Sequence, residues 1–221
     1  MPVPWWLTVV VVGGVAWWGV VSSAVAPVLL AGGWTVAARL QPGSFDAVSG
    51  TISALAAEGA ADRWVMTAAI MGTGACYVLT GLALRPAGWA GRLILMAGGA
   101  AGVLVAVNPE PAGGGGSLAH GFWATCCFAA LSVWPAAGWR RGPGVPAGLR
   151  PAVSVSAAGV MSCLLAWFEA ELVTRSGQAG LAERILAEAQ AVWPLAVVLT
   201  AAAGLTAGRR PQSPSGAGIA D

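Results

Sequence analysis

Residues 64–84 read WVMTAAIMGTGACYVLTGLAL, a run without one charged side chain, bounded by Arg63 and Arg85. At ~1.5 Å rise per residue, a helix of this length crosses the ~30 Å hydrocarbon core of a bilayer. A helix also pairs its own backbone N–H and C=O groups, which lipid cannot do. The stretch therefore decides the fold class, an all-α bundle in a membrane.

Five further apolar blocks flank it: about Trp5 to Gly32 before it, then about Leu93 to Val107, Leu118 to Gly138, Val153 to Trp167 (extending toward Leu172) and Ile185 to Leu205. Six spans predict one polytopic domain over residues 1–207. The polar, Pro/Ser/Gly-rich residues 208–221 read as a disordered tail. A hydrophobic fraction of 57% with only 9% charged residues excludes a water-soluble domain of this size. The net charge of +2 gives no reason to expect a nucleic-acid partner. The run from Trp5 to Val21, followed by Ala24-Val25-Ala26, imitates a signal peptide. It has no Lys or Arg ahead of it, and Pro27 would follow the cut, so it reads as a retained span.

Arginine placement predicts the orientation. All eleven basic residues are arginine, and seven of them fall in alternate links or the tail: Arg85, Arg92, Arg140, Arg141, Arg150, Arg209 and Arg210. The positive-inside rule makes that side cytoplasmic, with both termini, in a multi-pass protein of the cell membrane. Asp46, Glu58, Asp62, Glu110, Glu169, Glu171, Glu183 and Glu188 gather at or near the opposite side. Trp34, Trp64, Trp89 and Trp139 read as interfacial anchors near span ends. Gly98 and Gly102 form a GxxxG that permits close helix approach. Cys76, Cys126, Cys127 and Cys163 lie in apolar blocks without metal-site spacing and read as packing residues; no metal or other cofactor is expected.

The chemistry concentrates in the outer links. In residues 41–55, Pro42-Gly43 makes a turn, Asp46 or Ser49 caps a short interfacial helix running to Ala57, and Ile52, Leu55 and Ala56 share its buried face. Gly59 ends that helix and Asp62 caps the next span. The second outer link carries Asn108-Pro109-Glu110-Pro111 and a glycine run, followed by His120, the sole histidine. The glycine run lacks the Lys-Ser/Thr of a phosphate loop and reads as a connector. In the third outer region Glu183-Arg184 begins the last span. Glu188, one turn deeper, calls for a polar cavity or a partner such as Arg184 or Arg63. Pro194 would kink the span at Trp193.

Phe45-Asp46, Thr51-Ile52-Ser53-Ala54-Leu55, Gly59 and Asp62-Arg63-Trp64-Val65-Met66, with Asn108-Pro109 and His120 further on, resemble the signatures of the bacterial and archaeal membrane family catalogued as domain of unknown function 998. That family is similar in layout to the six-span Frag1/DRAM/Sfk1 group, some members of which are linked to lipid remodelling or distribution. The resemblance implies six helices and an outer polar site, matched here at Asp46, Ser53, Asn108 and His120. It implies no reaction. Where the family often has Tyr-Asp-Pro, this chain has Phe45-Asp46-Ala47.

These residues lead to three expectations. One is an outward pocket for a lipid-like amphiphile, with Asp46, Glu58, Asp62, His120 and Glu169 as candidate catalytic groups and Ser49, Ser53, Arg63, Asn108 and Glu188 as candidate binding groups. The second is an intramembrane enzyme acting on a prenyl or terpenoid substrate, in which a protonated carboxylic acid (Glu58, Asp62, Glu169 or Glu188) starts a cyclisation and tryptophans steady the cation. The third is a transporter or structural subunit.

Overall fold

The computed structural model describes residues 11–12, 14–113 and 116–208. They form seven helices: α1 (Trp17–Leu40), α2 (Ile52–Ala56), α3 (Trp64–Ala83), α4 (Trp89–Val107), α5 (Leu118–Gly138), α6 (Pro151–Thr174) and α7 (Ala179–Gly208). Six of these, all but α2, are long and apolar enough to cross a membrane. The chain is a multi-pass membrane protein. A short antiparallel ladder pairs Val11–Val12 with Val15–Ala16, and a single 3-10 turn at Ala147–Leu149 precedes α6.

The first span differs most from its expected bounds. Residues 5–10 lie outside the described residues, and Val11 to Ala16 form the ladder, with Gly14 at φ +78° in its turn. The helix starts at Trp17 and continues through Gly32-Gly33 to Leu40. That glycine pair looks like a stop signal in the sequence. Gly33 instead sits where a Cβ would overlap that of Ala69 on α3, so its small size serves packing. Trp34 consequently lies inside α1, whereas Trp17, Trp64 and Trp89 stand exposed at helix starts. Of the expected disordered tail, residues 208–221, Gly208 is instead the last residue of α7, and residues 209–221 lie outside the described residues.

The other boundaries move for reasons visible in single side chains. Helix α4 begins at Trp89 and so includes Arg92. Its Nε and Nη2 donate to Gly81 O (2.8 Å) and Leu82 O (2.9 Å), placing a cation on the carbonyl end of α3. Helix α6 starts with Pro151 at its first position and runs to Thr174, ending on Arg175 at φ 53°. Helix α7 starts at Ala179, before the expected Ile185, so Glu183 and Arg184 are helical.

Consecutive long helices are neighbours, and α7 returns to pack on α1, which closes the six into a ring. Helices α3 and α4 meet backbone to backbone: a Cβ on Gly74 would lie 2.6 Å from Gly99 O. The Gly98/Gly102 pair faces the opposite neighbour, α5, at Leu131 and Cys127. Apolar side chains such as Val28, Leu118 and Val173 point outward, as lipid requires. One end of the ring carries residues 41–63, 108–113, 116–117 and 175–178. The other carries 84–88 and 139–150. Helix α2 lies at the first end, against α1, α3 and α7.

Candidate functional site

The link into α2 is built from local polar bonds. Asp46 closes a turn: its carboxylate accepts from Val48 N–H (2.9 Å) and the Ser49 hydroxyl (2.7 Å), and its carbonyl from Gly50 N–H (2.8 Å). The Ser49 hydroxyl first, then the Val48 N–H, hold the Asp46 carboxyl below its ordinary value of 3.8. Neither residue caps α2. Thr51 Oγ1 does so, accepting from Ala54 N–H at 3.0 Å. Ile52, Leu55 and Ala56 are buried, as their spacing predicts.

Helix α7 holds this link from below. Arg184 Nη1 donates to Ala47 O (2.8 Å), Gly50 O (2.7 Å) and Gly180 O (2.8 Å), and Leu181 N–H donates to Val48 O (2.9 Å). The Arg184 guanidinium also lies 5.9 Å from the Trp34 ring centre and 5.8 Å from that of Phe45. Gly180 is a necessary glycine here, because a Cβ would run into Gly50 O.

One helical turn further on, Glu183 is 2% exposed. Its Oε2 accepts from Ile52 N–H, and its Oε1 lies 3.4 Å from Ser53 Oγ. Ser53 Oγ is 3.1 Å from His120 Nε2, and His120 Nδ1 is 2.9 Å from the Asn108 carbonyl oxygen. A carbonyl can only accept, so Nδ1 carries the proton, and in the neutral ring Nε2 is an acceptor that competes with Glu183 Oε1 for the single Ser53 hydroxyl proton, the shorter contact being the one to Nε2. Glu110 Oε1 stands 3.6 Å from the same Nε2. Asn108 is itself fixed, with its Nδ2 donating to Leu104 O (2.8 Å) at the end of α4.

Two chambers meet at this chain of groups. The outer, about 220 Å³, is lined by Thr51, Glu110, His120, Thr125 and Glu169 among others. The inner, about 70 Å³, is mostly apolar, lined by Leu30, Ile70, Tyr77, Val105 and Leu131, with Gln190 beside them. Ser53, Ala124, Phe128 and Glu183 line both. Gln190 Nε2 donates to Phe128 O (2.9 Å) and Ser132 Oγ (3.0 Å), while its buried Oε1 has no hydrogen-bond partner among the described residues.

Of the candidate residues, the structure thus brings together Ser53, His120, the Asn108 carbonyl and, at the rim, Glu169. The others stand apart. Asp46 and Ser49 bond each other on an exposed turn. Glu58 is exposed, and its N–H donates to Glu110 O (2.8 Å). Asp62, at φ 48°, does not cap α3; its carboxylate accepts from the Trp64 indole at 3.3 Å. Arg63 and Glu188 line neither chamber. Glu188 also lacks the expected arginine partner: Arg184 commits its Nη1 to three carbonyls, and both its Nη2 and Glu188 Oε2 are buried without a hydrogen bond among the described residues. Among those residues no three His, Cys, Asp or Glu side chains are grouped to hold a metal ion.

Glu183, Thr51 and Gln190 are site residues that the sequence reading passed over. Glu183, Ala187 and Gln190 follow i, i+4, i+7 spacing, a polar-small-polar stripe on one face of an apolar helix. That stripe is the signal that marks them.

The family model described as "Protein of unknown function (DUF998)" matches residues 23–200. No curated protein and no solved structure matches the chain.

Proposed function

The chain belongs to the DUF998 family, a membership that carries no activity, and we propose from the geometry that it binds a lipid-like amphiphile at the end of the bundle that carries α2. The carrying observation is the junction of an outer chamber that holds Glu110, His120 and Glu169 with an apolar inner one at Ser53 and Glu183. A polar head meets His120, Ser53 and Glu110, and a short apolar segment passes Phe128 into the inner chamber. The rest of the chain lies in lipid between α5 and α6, where the exposed Gly121, Thr125 and Leu172 line the outer chamber. The unpartnered Gln190 Oε1 gives the deep end an acceptor for a hydroxyl or amide of the ligand. In this reading the end with links 84–88 and 139–150, rich in arginine, faces the cytoplasm, and the pocket opens at the outer surface of the cell membrane.

The test is purification in mild detergent followed by mass spectrometry of what remains bound. The wild type should retain one class of amphiphile, and Ala124→Trp, which fills the shared neck, should lose it. Repeated recovery of empty wild-type protein overturns the proposal.

A further inference from the structure

We propose that Ser53 is a nucleophile for acyl transfer and His120 its general base, acting on an amphiphile that carries a carboxylic ester. The inference rests on the amphiphile reading above and names its substrate class. Nucleophilic serine chemistry needs a base within hydrogen-bond reach and a third group that fixes the base's tautomer and direction. All three parts are present. Ser53 Oγ lies 3.1 Å from His120 Nε2, and the Asn108 carbonyl holds Nδ1 at 2.9 Å. A main-chain carbonyl takes the orienting place usually given to a carboxylate. It is held firmly, because Asn108 N–H donates to Leu104 O (3.2 Å) and Val105 O (3.2 Å) while its side chain donates to Leu104 O.

Placement separates this pair from an ordinary structural hydrogen bond. Ser53 is half-buried and borders both chambers, so an ester carbonyl at the neck reaches its Oγ with the acyl chain on the apolar side. The alcohol portion and water occupy the polar side. The imidazolium formed during attack faces Glu110, 3.6 Å from Nε2, with Glu183 behind Ser53 and Glu169 on the chamber wall. The Glu110 carboxylate, at this distance from Nε2, lowers the cost of the positive charge.

The step balances with water as co-reactant. The Oγ lone pair forms a bond to the ester carbon while the hydroxyl proton moves to Nε2. The alkoxide departs, taking that proton as the alcohol, and the acyl group stays on Oγ. Water then loses a proton to Nε2 and attacks the acyl carbon. The carboxylic acid leaves, and Oγ recovers the proton from Nε2. The sum is ester plus water to alcohol plus acid.

The experiment uses the full chain in lipid nanodiscs with an alkyl fluorophosphonate, read by peptide mass spectrometry, beside the retained-amphiphile measurement. The wild type should gain the phosphonyl mass on Ser53. His120→Gln should slow that labelling by about 100-fold or more, the usual worth of a general base, with its thermal unfolding checked in parallel. Wild type that retains amphiphile but stays unlabelled at Ser53 overturns the nucleophile and leaves the binding site standing. Neither amphiphile nor label overturns both readings. Labelling at Ser53 that His120→Gln leaves unchanged overturns the pair.

Discussion

Glu183 is buried on a helix that faces lipid over much of its surface, and it is tolerated because both its oxygens lie against polar groups of α2, Ile52 N–H and the Ser53 hydroxyl. Removing the carboxyl strands a buried N–H. Glu183→Ala should therefore cost about 1–3 kcal/mol, whereas Glu183→Gln, which keeps an acceptor oxygen, should cost less. Thermal unfolding in detergent checks the order. Asp46 gives a pH effect of known sign. Its folded value is depressed, so its contribution is complete at neutral pH, above the ordinary value of 3.8, and is lost as pH falls through the lower folded value. The Tm gap between wild type and Asp46→Ala should be present at pH 7 and vanish in strong acid. At this scale Asn108 and His120 could be picked from the sequence because each is the sole residue of its type, while Ser53 stands out only through the family resemblance. Glu183 is marked only by its stripe with Gln190, because its position suits a helix start equally well and its bond to α2 spans 131 residues.

Helices show a different balance. Their existence follows from uncharged runs, but their ends depend on what glycine and arginine do locally. Gly32-Gly33 reads as a terminus, yet the helix runs on and Gly33 proves to be a packing notch against α3, while Arg92 reads as a link residue and proves to hold the α3 carbonyls from within α4. Neither outcome is visible without the neighbouring helix. The grip of α7 on the link into α2 is equally non-local. Arg184→Ala removes charge-assisted bonds to Ala47, Gly50 and Gly180, each of a kind worth about 1.5–3 kcal/mol. Hydrogen exchange over residues 44–52 should rise sharply in this variant, and less in Arg184→Lys, which keeps a cation able to donate from one nitrogen, as Nη1 does, but on a shorter and more flexible side chain. Gly180→Ala should raise exchange in the same segment by displacing the Gly50 carbonyl.

For the whole molecule, sidedness is the property that function depends on. With Cys76, Cys126, Cys127 and Cys163 replaced, single cysteines at Ser44→Cys and Ala112→Cys should react with an impermeant maleimide from one face of the membrane, and Pro143→Cys only from the other. Labelling of Ser44→Cys and Ala112→Cys from opposite faces would dismantle the shared pocket. The number of spans was readable because each apolar block is a local feature of the chain. Closure of the ring was not, because it joins residues far apart in sequence.

That closure also fixes an order of events. Helix α7 leaves the ribosome after the other five described spans, and it must return to α1 with well over a hundred residues intervening. Until it arrives, the cleft between α1 and α6 has no wall, and Ile52 N–H has no carboxylate. The slowest and least local contact in assembly is thus the one that completes the pocket. A nascent chain halted before α7 would hold its serine and histidine in an open trough, in free exchange with surrounding lipid.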